Sequence, residues 1–202
     1  KHLSTYHYLE FSRNMRHEQW LYFKRAIDSD WCDKFVQYAT ESYDPVEATI
    51  GFDNEPTKSD YRECDIRWLN ADTETDLTNM IWNYVNRANR DSFDVDVRYI
   101  NELQFTTYKG KNEGRYGWHH DVDFKNPHPY HRKLSLTIQL SDPKDYEGGE
   151  FEFENGIDVL PEDVKEKGTV LIFPSFYKHQ VTPVTSGTRH SLVTWVEGPH
   201  WR

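Results

Sequence analysis

The chain has 202 residues, 36% of them hydrophobic and 29% charged, and carries a formal net charge of −10. This balance supports one domain over residues 1–202 with a substantial core, and argues against a disordered chain or an apolar membrane span. The negative charge disfavours nonspecific nucleic-acid binding, which is driven by phosphate neutralisation, and suits a basic partner. Cys32 and Cys64 lie on unrelated segments without a CxxC pair, so they read as buried or free thiols of a reducing compartment.

Residues 1–17 are polar and aromatic without a clear period, and they show no apolar signal segment. EQWLYFKRAI, residues 18–27, reads as a short strand. Asp28 or Ser29 then caps a helix through Trp31, Phe35, Val36 and Ala39 that SYDP ends. Val46 to Arg62 holds Pro, Gly, Asn and acidic residues, which is loop chemistry; its length would suit a flap, but a plain surface loop is the better single reading. A second helix is predicted from Asp72 or Thr73 to about Ala88, with Leu77, Met80, Ile81 and Tyr84 at helical spacing and Asp72, Thr73 or Thr75 as its cap. A sheet is expected to begin near Phe93, where Val95, Val97 and Tyr99 alternate with charged residues, and to run through LQFTTY to Tyr108. KGKNEGR is a turn.

The next stretch, YGWHHDVDF, carries chemistry. On a strand, residues two apart point to one face, so His119 and Asp121 can grip one ion while His120 points away. In the loop DFKNPHPYH, the prolines break any regular ligand spacing, and His128 and His131 read as surface residues. RKLSLTIQL places Leu134, Leu136, Ile138 and Leu140 on one face and Ser135, Thr137 and Gln139 on the other, where they could line a ligand cavity. SDPKDYEGGEFEF turns into a strand on which Phe151 and Phe153 alternate with glutamates, and Gly148 and Gly149 permit a sharp bend. ENGIDVLPEDVKEKG is a charged loop. TVLIFP is a continuous apolar strand that delivers His179 through SFYK. A set of two histidines and one carboxylate leaves one face of an octahedral iron open.

Ten positions beyond His179, Arg189 begins a strand on which Arg189, Ser191, Val193 and Trp195 share a face. A guanidinium matches a carboxylate in a bidentate pair, and a hydroxyl two residues on reaches the same oxygens, so Arg189 and Ser191 form a carboxylate clamp. Many short strands after two helices imply a mainly β fold, a jelly roll with flanking helices. Serine-hydrolase, zincin, P-loop and Rossmann motifs do not occur.

The HxD, the distal histidine and the RxS ten residues later resemble the Fe(II)- and 2-oxoglutarate-dependent oxygenases, closest to the prolyl 4-hydroxylase-like branch of phage and bacterial type. The resemblance covers about Trp20 to Trp201. It implies a double-stranded β-helix, or cupin-like jelly roll, over about 93–200, with strand and helical support over about 18–92. It also implies Fe(II) on His119, Asp121 and His179, with 2-oxoglutarate held by Arg189, Ser191 and Tyr108. O2 is then the oxidant and ascorbate a supporting reductant. Trp195, six past the clamp, matches the tryptophan that prolyl hydroxylases place over the substrate ring, where nucleic-acid demethylases of this class place an arginine. Tyr116 and Arg132 match substrate-side positions of the same branch more loosely. The expected activity is hydroxylation of a prolyl residue in a protein or peptide, possibly a basic one, in the cytoplasm of a bacterial or phage-infected cell, with neither nucleic acid nor membrane as partner. Oxidation of a nucleobase or small molecule and a non-catalytic cupin-like binding module are the alternatives.

Overall fold

A computed structural model describes residues 18–47, 61–125 and 127–201, so the N-terminal tail and most of the expected loop after Val46 lie outside the described residues. The elements run β1 (Leu21–Phe23), α1 (Ser29–Ser42), β2 (Val46–Glu47), β3 (Arg62–Glu63), β4 (Asp65–Asn70), α2 (Thr75–Ala88), β5 (Tyr99–Lys109), β6 (Arg115–His119), β7 (Tyr130–Gln139), β8 (Tyr146–Gly148), β9 (Phe151–Phe153), β10 (Val170–Pro174), β11 (His179–Val181) and β12 (Val184–Pro199). Among the described residues they make two antiparallel sheets. The larger runs β1-β10-β7-β12-β5-β4-β2, with β8 added on β12, and the smaller runs β3-β6-β11-β9. This is the expected mainly β architecture, a double-stranded β-helix with two flanking helices. No helix among the described residues is long and apolar enough to cross a membrane.

The period-2 pattern of β7 decides which side is core and which is cavity. Leu134, Leu136 and Ile138 are fully buried and join Leu103, Phe105, Leu192 and Val196 in a cluster with Phe35 of α1 and Ile81 and Val85 of α2. The helices therefore cover one face of the larger sheet, as amphipathic elements must to bury their apolar stripe. Ser135 and Thr137 point to the opposite face, where they line a cavity between the two sheets. Cys32 and Cys64 are both free and buried.

The cap of α1 is Asp28, whose Oδ1 accepts from the backbone N–H of Asp30 at 2.9 Å and Trp31 at 3.2 Å. Four local readings are corrected. α2 starts at Thr75, later than Asp72 or Thr73, because Asn70 Oδ1 accepts from the Asp72 N–H and holds residues 70–74 in a turn. Glu74 at the cap position makes no side-chain cap bond; its carboxylate instead accepts from the hydroxyls of Tyr38 and Tyr43.

Residues 93–98 are not strand. α2 runs on into a π-helical turn, Asn89–Phe93, which Asp94 ends with φ +48°. The Asn89 side chain bonds both the N–H and the carbonyl of Val95 at 2.9 Å, so Val95 packs on the core without joining the ladder. The first strand shrinks to Leu21–Phe23, and Val46–Glu47 and Arg62–Glu63, at the two ends of the expected loop, are short strands.

On the helix side of β12, His190 stacks on Phe105 with centroids 5.3 Å apart, and its Nδ1 lies 3.1 Å from Thr107 Oγ1. Burial, helped by the charges of Arg67, Arg189 and Lys109, lowers its pKa from 6.5 to about 4. A folded pKa below the unfolded one gives stability that is complete above about pH 6.5 and is lost as pH falls through about 4. Its size is on the order of 3 kcal/mol. Urea unfolding at pH 7 and pH 4 should show a smaller acid loss for His190→Phe than for the parent; equal losses would locate the acid sensitivity elsewhere.

Candidate metal centre and cosubstrate cavity

β6 and β11 are neighbours in the smaller sheet, and His119 and His179 are Cα partners across them. Asp121 does not share the strand with His119, contrary to the sequence expectation. β6 ends at His119, and the Asp121 N–H donates to Ser175 O at 3.0 Å, which turns the backbone out of the ladder. The carboxylate still faces the histidines. Its Oδ1 lies 3.5 Å from His119 Nε2 and its Oδ2 3.5 Å from His179 Nε2, while Ser135 Oγ donates to Oδ2 at 2.6 Å. One donor atom from each of the three residues lies within 4.8 Å of the others.

The histidine tautomers suit a metal. His119 Nδ1 lies 2.8 Å from Gly117 O and His179 Nδ1 2.9 Å from Tyr177 O. A carbonyl only accepts, so Nδ1 carries the proton in each ring and the Nε2 lone pair faces the centre, the usual arrangement of a ligating histidine. Burial lowers the His179 pKa to about 4, against the opposing pull of Asp121. Burial also works against ionised Asp121, but His179 and His119 outweigh it and hold the carboxyl well below the usual range. Two imidazoles with Nε2 turned inward and one carboxylate fit a divalent iron-type ion. His120 points away, with its Nδ1 2.8 Å from Phe176 O. Phe151, stacked on His179 at 5.2 Å, and Phe173, edge-on at 4.9 Å, fix the ring of His179.

Arg189 stands in the middle of β12 rather than at its start and is 2% exposed. Its Nη2 donates to Gln139 Oε1 at 2.8 Å, which fixes the guanidinium plane, while its buried Nη1 has no acceptor. Ser191 and Tyr108 line the same cavity, and the Arg189 guanidinium lies 5.4 Å from the Tyr108 ring centre. Burial pushes the Tyr108 phenol above its usual pKa, so it is a neutral donor. A buried cation with an unused donor and two hydroxyl side chains nearby is equipped to receive a carboxylate.

Trp195 lies on the cavity wall, 8% exposed, with a buried Nε1 that has no acceptor. The Arg132 guanidinium covers its ring at 3.7 Å, so Arg132 is a half-buried cation over an aromatic face and not a solvated strand end. Tyr116 stacks on His119 at 3.5 Å. His131 is buried against His200 at 4.1 Å, correcting its surface reading, whereas His128 is exposed. Sequence reasoning missed Arg62, Gln104 and Trp68. Gln104 lines the cavity, and Trp68 stands 41% exposed at 6.2 Å from Trp195. The alternation of β4 and β5 was the available signal for both, since Trp68 and Gln104 are Cα partners.

The site thus brings a two-histidine, one-carboxylate cluster and a buried arginine into one cavity of a double-stranded β-helix. Residues 103–197 match the family model of the 2OG-Fe(II) oxygenase superfamily. The matched span contains His119, Asp121, His179, Arg189 and Trp195, and amounts to a little under half of the chain. Among curated relatives, a PKHD-type hydroxylase of Gloeothece citriformis is 37% identical over 103 residues, 51% of this chain and 46% of that protein. The chain therefore spans about half the length of the curated relatives it matches. Among solved structures, the viral collagen prolyl hydroxylase of Paramecium bursaria Chlorella virus-1 superposes with a TM-score of 0.69 at 16% identity, covering 92% of this chain and 99% of that one. A prolyl hydroxylase from Trichoplax adhaerens, in complex with a hypoxia inducible factor peptide fragment, superposes with a TM-score of 0.68 at 16% identity, covering 89% and 83%.

Proposed function

We propose that the chain is an Fe(II)- and 2-oxoglutarate-dependent dioxygenase that hydroxylates a prolyl residue in a protein or peptide. The observation that carries this reading is one cavity holding the His119, Asp121 and His179 cluster together with a buried arginine that has an unused donor. Fe(II) held by these three residues would supply the dioxygen chemistry that couples 2-oxoglutarate decarboxylation to C–H hydroxylation, with ascorbate keeping the metal reduced. Arg189 and Ser191 would grip the distal carboxylate of 2-oxoglutarate, with Tyr108 donating to the same group. Trp195 offers a flat wall against which a proline ring packs, and Arg132, whose guanidinium lies over the indole at 3.7 Å, would be a further substrate-side residue. Tyr116 lies beside the ligand cluster on the substrate side.

The prolyl hydroxylases that share the fold, one of them in a peptide complex, support a peptidyl substrate. The net charge of −10 adds a long-range preference for basic peptides over polyphosphate strands, which weakens with salt as the screening length falls below about 10 Å. Free buried thiols suit a cytoplasmic setting, and the same reading takes the chain as one oxygenase domain.

The test is incubation with Fe(II), ascorbate, 2-oxoglutarate and proline-containing peptides. One oxygen should be added to peptidyl proline with equimolar succinate. Trp195→Ala should lose about tenfold or more in peptide kcat/KM, equivalent to about 1.4 kcal/mol of transition-state binding, yet keep peptide-independent decarboxylation of 2-oxoglutarate. Equal peptide activity in this variant would remove Trp195 from the substrate site. Oxidation of methylated DNA without peptide hydroxylation would overturn the prolyl reading.

A further inference from the structure

Arg62 opens β3, the edge strand of the smaller sheet, and is the Cα partner of Tyr116. Its guanidinium lies 4.2 Å over the Tyr116 ring, while His119 stacks on the same ring at 3.5 Å. Two groups this close have no room on one face, so Tyr116 is sandwiched and the stack Arg62, Tyr116, His119 leads directly to the ligand cluster. Arg62 Nη2 donates to Gln104 Oε1 at 3.2 Å, and Gln104 Nε2 donates in turn to Thr106 Oγ1 at 2.8 Å, which fixes the amide with its oxygen toward the arginine.

The guanidinium is only partly matched. Nε is buried without an acceptor, and among the described residues the groups acting most on the charge are Cys64, which also bonds the side chain, Tyr116 and Tyr108. Other largely buried arginines differ: on the helix side Arg67 Nε donates to Tyr43 O, and near the ligand cluster Arg132 Nη1 lies 3.4 Å from Asp121 O within the field of Asp121 and Glu197. A desolvated cation whose described neighbours are neutral is costly, and a buried donor without an acceptor adds to the cost. An anion arriving from outside relieves both.

We propose that Arg62 is the receptor for an acidic side chain of the substrate, placed about two or three residues from the target proline. This rests on the reading that the cavity receives a prolyl peptide. The spacing follows from the stack: one aromatic ring separates Arg62 from a metal ligand, and an extended chain advances roughly 3.3–3.6 Å per residue. The overall negative charge does not oppose the assignment. It acts at long range and is screened, whereas a carboxylate against the Nε edge of Arg62 forms a charge-assisted pair at contact. A substrate with an acidic residue near the proline and basic residues farther out satisfies both.

Two peptides of identical composition and net charge test this, one with Asp near the proline and Lys at the ends, the other with the two exchanged. Their ratio of kcat/KM, and their ratio of affinities for the Fe(II)- and 2-oxoglutarate-loaded protein without oxygen, are internal to each variant and do not depend on its folded fraction. The wild type should favour the Asp-near peptide by about tenfold, the usual worth of a charge-assisted hydrogen bond. Arg62→Met should bring the ratio close to one, Arg62→Lys should keep part of it, and Arg62→Glu should reverse it. A wild-type ratio near one, or a ratio unchanged in Arg62→Met and Arg62→Glu, would overturn the assignment while leaving prolyl hydroxylation intact. Asp-near binding that Arg62→Met removes, with oxygen added to neither peptide, would sink the prolyl reading and leave Arg62 as the acid receptor. Failure to bind either peptide would overturn both.

Discussion

His119→Ala, Asp121→Ala and His179→Ala are each expected to abolish iron retention and 2-oxoglutarate turnover in a protein that still folds. The three donors come from the end of β6, the turn after it and the start of β11, and converge within 4.8 Å. Changing a group that only orients a ligand already costs about 10–100-fold in metal affinity, so deleting a ligand should exceed about a hundredfold. The fold should survive because the main apolar core lies on the other face of the larger sheet, between it and α1 and α2. His179→Ala should be the least stable of the three, since it leaves Phe151 and Phe173 facing a void.

His120→Ala is the control. Its ring is exposed and turned toward Phe176 O, so iron content after dialysis and succinate formation should stay near the parent level. Circular dichroism separates lost metal from lost fold. If His120→Ala lost iron and His119→Ala kept it, the ligand assignment would be wrong by one residue, and Asp123 would become the likelier carboxylate.

The parts legible in sequence were those written in a local period. Alternation along 134–140 separated core leucines from cavity-facing polar residues, and the spacing from Arg189 to Trp195 put the clamp and the aromatic wall on one face. Where a tertiary bond overrides the period, the reading failed. Val95 and Val97 alternate like a strand, but the Asn89 side chain takes the Val95 backbone groups that a ladder would need. Asp121 sits two residues from His119 as a strand pair would, yet it reaches the histidines because Ser175 and Ser135, from other segments, hold its backbone and its carboxylate. His131 stood in a proline-broken polar loop, and only the return of the C-terminal residues brings His200 over it. Arg62 carried no signal at all. Its importance comes from pairing with Tyr116, a contact between segments more than fifty residues apart.

Arg189→Ala should raise the 2-oxoglutarate requirement by about ten- to a hundredfold, since a lost charge-assisted pair costs about 1.5–3 kcal/mol. Iron affinity should change far less, because among the described residues Arg189 bonds Gln139 and none of His119, Asp121 or His179. The guanidinium is 2% exposed and keeps an unused Nη1 donor, so in the wild type the distal carboxylate of 2-oxoglutarate would neutralise a charge that the fold leaves with neutral partners. Binding should therefore also raise thermal stability, by about 2.7 kcal/mol at a hundredfold excess over Kd, and the variant should need correspondingly more ligand for the same gain. Arg189→Lys keeps the charge but loses the planar fork that Gln139 orients, so it should fall between the two. Ser191→Ala should cost less than either, as it removes one neutral donor. Succinate formation and thermal shift, both titrated with 2-oxoglutarate, measure these effects independently. An unchanged 2-oxoglutarate dependence in Arg189→Ala would remove the clamp from this cavity and leave the three-residue cluster as a metal site without its cosubstrate.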